Sequence, residues 1–319
     1  MGGSSIHNPR RGSLQIWPRV RAKRSYPSIK AKPKSKVVKL HGFIGYKVGM
    51  THIMFKDTNT HSMTKNQNIA HPTTIIECPP IKPLLLRFYQ KTTNGLQIVG
   101  EIPSSLKIDK KLKLIAPKKT KEPESFDEIR LVVYTTPSAT GIGKKNPDVL
   151  ELNILGDNKE EQLKVGKELL TKEIKVSDIF QEGQMVDIHA VTTGKGFQGT
   201  VKRYGVKIRQ HKSEKTKRGI GTLGPWTPKK VLFTVAQPGK MGYHSRVDFN
   251  KQVLKISSKP EEVNPKGGFV RYGEVKNEWL MVKGSIPGPK KRTIIVTEPI
   301  RPKKPSSGEV TYISRESKQ

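Results

Sequence analysis

Short apolar segments rich in β-branched and aromatic residues recur along the chain from residue 37 onward. Glycine and proline separate most of them, which is typical of strands joined by turns. The pattern predicts strands at residues 37–55 (as a pair), 73–78, 84–90, 96–102, 129–136, 149–155, 185–192, 231–235, 253–256, 269–282 and 293–296. So many short strands favour an antiparallel barrel or sandwich.

Helical spacing of apolar residues is clearest over residues 159–170, where it predicts an amphipathic helix. The apolar residues on its face are Leu163, Val165, Leu169 and Leu170. A weaker helical pattern covers residues 104–115. The predicted fold class is therefore mainly β with some α.

Shifts in composition divide the chain into segments. Residues 1–36 contain seven Gly and Pro and few apolar residues, so they predict an extended arm. Residues 201–245 are similarly rich in Gly and Pro, so they predict a long loop that leaves the β core and returns to it. The predicted segments are a basic arm at 1–36, a β-barrel core at 37–56 and 179–300, a charge-neutral α/β insertion at 57–178, the basic loop extension at 201–245 and a C-terminal tail at 301–319.

The composition of the 319 residues excludes several protein classes. Hydrophobic residues make up 33% of the chain, which is enough for a folded core. A lone cysteine, Cys78, forms neither a disulfide framework nor a cysteine-cluster zinc site. Neither a membrane-spanning apolar run nor a secretory signal is recognisable, so a cytoplasmic protein is expected.

The net charge of +33, from 60 Lys and Arg against 27 Asp and Glu, is unevenly distributed. Residues 1–56 carry 13 basic residues and no acid, and residues 195–260 have a net charge of +14. Residues 57–194 have a net charge of only +1. Cationic segments without compensating acids attract phosphates through counterion release, so both basic segments are predicted to contact nucleic acid.

A glycine-rich motif, G-x-G-x-x-G at residues 194–199, raises the alternative of a nucleotide-binding enzyme. A dinucleotide fold needs a helix next and an acid about 20 residues on. The following segment, residues 200–208, is instead β-branched and basic, and no acid lies near 216–222. The glycines are better explained by tight turns that let the backbone approach a sugar–phosphate chain.

No catalytic or metal-binding constellation is apparent, since the eight histidines are scattered and acids are nearly absent from the basic segments. Trp226 lies between two prolines in a cationic loop, which suits an aromatic tip that packs against nucleotides. The alternative for Trp226 is a small apolar cluster beneath the loop. A basic RNA-modifying or nucleotide-dependent enzyme and a chromatin-type DNA-binding protein remain the competing functions.

Five motifs in order resemble the universal large-subunit ribosomal protein three (L-three) family of archaeal type. They are PRRGSL through Pro18-Arg19, GFIGYKVGMT at 42–51, GKGFQGTVKR at 194–203, GKMGYHSR at 239–246 and MVKGSIPG at 281–288. Residues 57–178 match the family weakly. One departure is Lys217 in Thr216-Lys217-Arg218-Gly219, where eukaryotic members have histidine, so no role of that histidine carries over.

The resemblance implies a six-stranded translation-factor-type β-barrel with a long internal extension and an N-terminal arm. Together with the α/β insertion predicted from the neutral charge of residues 57–178, this completes the expected fold. It implies a structural, non-enzymatic protein that binds large-subunit (23S-type) rRNA near its 3′ end and supports early assembly. The extension is expected to run toward the peptidyl-transferase centre with Trp226 at its tip, beside neighbouring ribosomal proteins. No cofactor, metal, membrane or small-molecule substrate is expected.

Twenty-five basic, aromatic and polar residues are predicted to contact the RNA. They are Arg10, Arg11, Trp17, Arg19, Arg21, Lys23, Arg24, Lys47, Lys195, Phe197, Gln198, Lys202, Arg203, Arg209, His211, Lys212, Lys217, Arg218, Trp226, Lys229, Lys230, Lys240, Tyr243, His244 and Arg246.

Overall fold

A computed structural model describes residues 12–29, 31–33, 35, 37–112, 115 and 120–316. The chain divides into two compact units. In its described part, the smaller unit comprises residues 12–24 and 191–245, and the larger unit comprises residues 25–190 and 246–316. Two of the predicted contact residues, Arg10 and Arg11, lie outside the described residues.

Strands dominate the described chain, as the sequence predicts. The strands are β1 (Lys39–Leu40), β2 (Gly42–Asp57), β3 (Asn68–Glu77), β4 (Lys82–Thr92), β5 (Gly95–Pro103), β6 (Glu128–Tyr134), β7 (Val149–Leu155), β8 (Met185–Val191), β9 (Phe197–Gln198), β10 (Gly239–Lys240), β11 (Ser245–Ser257), β12 (Trp279–Lys283), β13 (Thr293–Thr297) and β14 (Gly308–Ile313). The helices are α1 (Lys159–Leu169) and α2 (Thr200–Tyr204), with short 3₁₀ turns at Lys110–Leu112, Pro137–Ala139, Val176–Asp178 and Pro260–Glu262.

The seven-stranded sheet of the larger unit has the order β13-β8-β11-β12-β3-β2-β14. An additional pairing of β13 with β2 closes the first six strands into a ring. The 16-residue strand β2 makes this possible, because its first part pairs with β13 and its last part with β14. Gly45 permits close crossing in the ring, since a Cβ there would lie 2.5 Å from Ile76 Cγ2.

A second sheet of the larger unit has the order β1-β7-β6-β4-β5, and its neighbouring strands are antiparallel. Helix α1 contacts β4, β6 and β7, and the apolar side chains of the helix and of this sheet join the main core. Asn158 caps the helix by accepting a hydrogen bond from the Glu160 N–H. The predicted helix at 159–170 is thus confirmed with nearly the same bounds.

Other predicted elements differ from the structure. Residues 37–55 form one long strand, β2, preceded by the two-residue β1, and do not form a strand pair. Residues 104–115 contain only a 3₁₀ turn at Lys110–Leu112 and, among those the structure describes, no α-helix. Residues 231–235 are not a strand, because their Val, Leu and Phe side chains are exposed and no described strand pairs with them.

Two segment boundaries also change. Strand β3 lies within the predicted insertion at 57–178, but it pairs with β2 and β12 inside the ring. Strand β14 lies within the predicted tail at 301–319, but it pairs with β2. Within 269–282 only the residues from Trp279 onward are extended, because the preceding residues form turns.

The predicted arm at 1–36 is divided between the two units after Arg24. In the larger unit, Tyr26 and Ile29 pack against the main core, and the Lys32 ammonium lies 3.0 Å from a Glu128 carboxylate oxygen. This part of the arm is therefore folded onto the protein. None of the helices in the described ranges is long and apolar enough to span a membrane.

Candidate nucleic-acid interface

The smaller unit concentrates the positive charge of the chain. Its segments, residues 1–24 and 191–245, carry 18 Lys and Arg and the single acid Glu214. This net charge of +17 is about half of the total, although the unit holds only 79 of the 319 residues. The larger unit has a net charge of +16 over 240 residues. The smaller unit is thus the more densely cationic of the two units.

An aromatic cluster holds the arm against the extension inside the smaller unit. The Trp17 ring stacks on Tyr204 at a centroid distance of 6.3 Å and meets Phe233 edge-on at 5.8 Å. The Arg19 guanidinium lies 4.4 Å from the centre of the Tyr204 ring. Gly12 fits here because a Cβ at this position would lie 2.4 Å from a Tyr204 ring carbon. At least one face of the Trp17 ring, which is a predicted RNA contact, therefore packs inside the unit and anchors the arm.

A second set of contacts fixes the arm a few residues further on. The Ala22 N–H donates to the Tyr243 carbonyl at 2.8 Å, and a ring nitrogen of His244 lies 2.7 Å from the Val20 carbonyl oxygen. The Arg21 guanidinium lies 5.6 Å from the centre of the Tyr243 ring. His244, also a predicted RNA contact, is buried and joins the arm to the base of the extension.

The glycine-rich motif forms a turn and not a nucleotide-binding crossover. Strand β9 lies inside the motif and pairs antiparallel with β10, while Gln198 Nε2–H donates to the Lys195 carbonyl at 2.6 Å. A helix does follow, contrary to the sequence expectation, but α2 has only five residues. A dinucleotide site needs a strand–helix–strand unit, and this motif lacks it.

Two arginines predicted to contact RNA instead hold the extension together. Arg203 donates through Nη1 to the Gln237 carbonyl at 2.8 Å and through Nε to the Lys240 carbonyl at 3.1 Å. Arg209 donates to the carbonyls of Ile220 and Gly221. Because the extension has little regular secondary structure, these side chains satisfy backbone carbonyls that a strand would otherwise pair.

Trp226 lies at the far part of the extension with 84% of its side chain exposed. The Lys229 ammonium lies 5.7 Å from the centre of its ring, and the Lys229 N–H donates to the Trp226 carbonyl at 2.9 Å. The alternative of an apolar cluster beneath the loop is therefore wrong for this residue. An exposed indole in a cationic loop offers a surface on which bases can stack.

Most of the predicted contact residues in the smaller unit are exposed. The exposed ones are Arg21, Lys23, Arg24, Lys195, Phe197, Lys202, His211, Lys212, Lys217, Arg218, Trp226, Lys229, Lys230 and Lys240. Tyr243 is half-buried, as is Arg246, which belongs to the larger unit. The structure thus combines many cations and the exposed rings of Phe197, Trp226 and Phe233 in one unit.

Lys47, another predicted RNA contact, has protein partners in the structure. Its side chain is buried in the larger unit, and its ammonium donates to the carbonyls of Ile286 at 2.6 Å and Gly288 at 2.9 Å. Burial lowers the pKa of this ammonium. Lys47 therefore ties the GFIGYKVGMT segment to the MVKGSIPG segment.

Sequence reasoning also missed several residues of the unit. Tyr204 and Phe233 complete the aromatic cluster, but their partners in the arm are nearly 200 residues away in sequence, so no local pattern identifies them. Lys207 and Lys215 are exposed cations of the extension, and the charge count alone could have included them. Among the described residues, no group of three or more His, Cys, Asp or Glu could hold a metal ion.

Comparisons with known proteins give one consistent result. The family model described as "Ribosomal protein L3" matches residues 1–109 and 107–319. The "Large ribosomal subunit protein uL3" of Methanobrevibacter smithii is 44% identical over 331 residues, covering 98% of this chain and 98% of its own length. The proteins of the same name from Methanocaldococcus jannaschii and Methanothermobacter thermautotrophicus are both 42% identical, with coverage of 99% and 98% of both chains, respectively.

Proposed function

Because this chain belongs to the ribosomal protein L3 family and is a structural constituent of the large ribosomal subunit in the cytoplasm, we propose that its smaller unit contacts the large-subunit rRNA directly. The observation that carries the proposal is the charge of this unit, 18 Lys and Arg against Glu214 alone. Lysine and arginine that neutralise phosphates release counterions, which drives association with RNA.

Exposed rings give this unit a second means of recognition. Phe197 and Trp226 are 73% and 84% exposed, and both belong to a unit dense in cations. Base–aromatic stacking contributes about 1–3 kcal/mol per base and favours unpaired nucleotides. The proposed ligand of the extension is therefore rRNA with unstacked bases, as found in loops and junctions.

The finer parts of the proposal come from the family. We place the binding site near the 3′ end of the 23S-type rRNA, with a part in early subunit assembly and the extension directed toward the peptidyl-transferase centre. Neighbouring ribosomal proteins are the further partners. The closed ring of six strands supports a barrel of the translation-factor type. The role is structural and requires no catalytic residue.

Replacing exposed cations of the extension in cells provides the test. The extension variant carries Gln at Lys202, Lys212, Lys217 and Lys230, which are all exposed. A control variant carries Gln at Lys65, Lys107, Lys164 and Lys172, which are exposed in the larger unit and form none of the observed ion pairs. Both variants have four fewer positive charges than the wild type.

We expect the wild type and the control variant to sediment with large subunits at moderate and high salt. The extension variant should be depleted from large subunits several-fold and should dissociate first as salt rises, because fewer cations neutralise phosphates. The proposal fails if wild-type protein stays in the soluble fraction, or if both variants are incorporated equally.

A further inference from the structure

Three loops of the larger unit form a second cationic surface, which we call the barrel-end surface. They are residues 139–145, 264–277 and 286–292, and together they carry eight Lys and Arg and a single acid, Glu274. None of these residues was among the predicted RNA contacts. The charge partition along the sequence hides them, because the first loop lies more than 100 residues before the other two in the chain.

Side chains of the loops join them to one another. Lys290 Nζ donates to the Val270 carbonyl at 2.8 Å, and Lys291 Nζ lies 3.4 Å from the Ile142 carbonyl oxygen. Asn277 Nδ2 donates to the Ala139 carbonyl at 3.1 Å. The three loops therefore form one continuous surface.

Buried groups beneath the surface hold the loops in place. The fully buried Glu77 carboxylate accepts the backbone N–H groups of Lys276 and Asn277 at 2.9 and 3.0 Å. The buried Lys47 ammonium holds the third loop through the carbonyls of Ile286 and Gly288. A surface fixed in this way is pre-organised for a ligand.

Five cations of the surface are exposed: Lys145, Lys266, Arg271, Lys276 and Lys291. Arg271 and Lys291 have left-handed backbones, with φ of 65° and 69°. Gly or Asn adopts this conformation with less strain than a long side chain does. The surface therefore carries cations at two positions where the backbone favours smaller residues.

The surface lacks the aromatic component of the smaller unit. Within the described loops both rings, those of Phe269 and Tyr272, are buried, so bases have no exposed ring on which to stack. Open space lies beside Gly143, Gly267 and Gly273, where a Cβ would meet nothing within 4 Å. Cations and accessible backbone suit a phosphate backbone better than unpaired bases.

We propose that the barrel-end surface binds the sugar–phosphate backbone of duplex RNA, independently of sequence. The inference rests on the proposed function, since the rRNA of the same subunit would supply the duplex. It assigns the two RNA classes to different places: unpaired nucleotides to the extension and paired RNA to the barrel-end surface.

The experiment measures binding of the full chain to a 20-base-pair RNA duplex and to a 20-nucleotide single strand over a range of KCl concentrations. The barrel-end variant carries Lys266→Gln, Lys276→Gln, Arg271→Asn and Lys291→Asn, because Asn tolerates the left-handed backbone. The control is the variant with Gln at Lys65, Lys107, Lys164 and Lys172, which removes the same number of charges. Thermal melting of each protein checks that it is folded.

For the barrel-end variant we expect duplex affinity to fall at least tenfold, and the slope of log K against log salt to decrease by about 1 for each phosphate that is no longer neutralised. Single-strand affinity should stay within about twofold of wild type, and the control variant should match wild type on both RNAs.

Unchanged duplex binding by a folded barrel-end variant would overturn the inference while leaving the proposed function intact. The inference would also be overturned if polyglutamate displaced the bound RNA duplex as strongly as unlabelled duplex RNA does. That result would favour an acidic protein partner for the surface. Wild-type protein that binds neither RNA would instead refute the proposed function.

Discussion

The three tryptophans of the chain lie in three different environments, and each environment assigns a different role. Trp279 is fully buried, and its indole N–H donates to the Lys259 carbonyl at 2.9 Å. Trp17 is half-buried and packs on Tyr204 within the smaller unit. Trp226 is almost fully exposed. The first supports the core, the second anchors the arm and the third is available to a ligand.

Trp226→Ala should therefore leave the fold intact and impair the large subunit. The melting temperature should change by no more than about 1–2 °C, because the exposed ring buries little area in the folded protein. Incorporation into subunits or translation by them should decline. Trp279→Ala is the contrasting variant, since truncating a buried Trp removes about 3–5 kcal/mol of stability. Similar decreases of stability in both variants would place Trp226 in the core.

His41 should make the stability of the larger unit sensitive to acid. It is buried, and neither ring nitrogen has a hydrogen-bond partner among the described residues. Burial lowers its pKa to about 4, and the nearby His189 and Lys32 add to the shift. Between about pH 6.5 and 4 the unfolded chain binds a proton that the folded chain does not, so stability falls as the pH falls. The full effect is roughly 3 kcal/mol.

The check is urea unfolding of the wild type and of His41→Phe at pH 7 and pH 4.5. The free energy of unfolding of the wild type should fall by about 2–3 kcal/mol more than that of the variant between these two pH values. Equal decreases in the two proteins would show that His41 is not the group responsible.

At the residue scale, the sequence predicted which residues are cationic but not which of them face the ligand. Arg203 and Arg209 donate to carbonyls of the extension, and Lys47 donates to carbonyls beneath the barrel-end surface. A lysine or arginine can donate to a backbone carbonyl as well as to a phosphate, so residue type alone does not separate the two roles. The burial of each cation and its hydrogen-bond partners decide which role it has. Both depend on contacts between residues that are distant in sequence.

At the scale of elements, the arm and the extension depend on each other for packing. Neither has an apolar core of its own, and the cluster of Trp17, Tyr204 and Phe233 joins them. The Trp17 indole N–H and the Tyr204 hydroxyl have no partner among the described residues, so ring packing and not hydrogen bonding holds this cluster. The arm up to Arg24 and the extension, predicted separately from charge, thus belong to one structural unit.

Tyr204→Ala should release the arm from the extension. We expect trypsin to cleave at Arg19, Arg21, Lys23 and Arg24 several-fold faster in this variant, because local opening exposes the backbone. Tyr204→Phe keeps the ring and removes only the unpartnered hydroxyl, so cleavage should match the wild type. Slow cleavage of the arm in the Ala variant would refute the anchoring role of the ring.

Elements with a strong local pattern were predicted well, and those defined by pairing were not. Strand β7 and helix α1 have nearly their predicted bounds, because alternation or helical spacing specifies them locally. Strand β3 was placed in the insertion although it pairs within the ring, and residues 231–235 were wrongly predicted as a strand. A strand exists only if a neighbour pairs with it, and the sequence of the strand does not identify that neighbour.

At the scale of the whole molecule, positive charge and hydrophobic core are concentrated in different units. The three apolar core clusters draw their residues from the larger unit, which has the lower charge density. The smaller unit has about half of the net charge. Aromatic contacts and hydrogen bonds to the backbone hold it together. The family resemblance was confirmed over nearly the whole chain, whereas the RNA contacts of individual residues stay predictions.

The most direct test of rRNA contact by the smaller unit is ultraviolet cross-linking of native large subunits, followed by mass spectrometry of the cross-linked peptides. Cross-links to rRNA should be concentrated within residues 12–24 and 195–245, with Trp226 or Phe197 among the cross-linked side chains, because exposed rings stacked on bases react efficiently. The insertion around α1, with its nearly balanced charge, should give few or none. Cross-links restricted to the larger unit, with none in either the arm or the extension, would contradict the account.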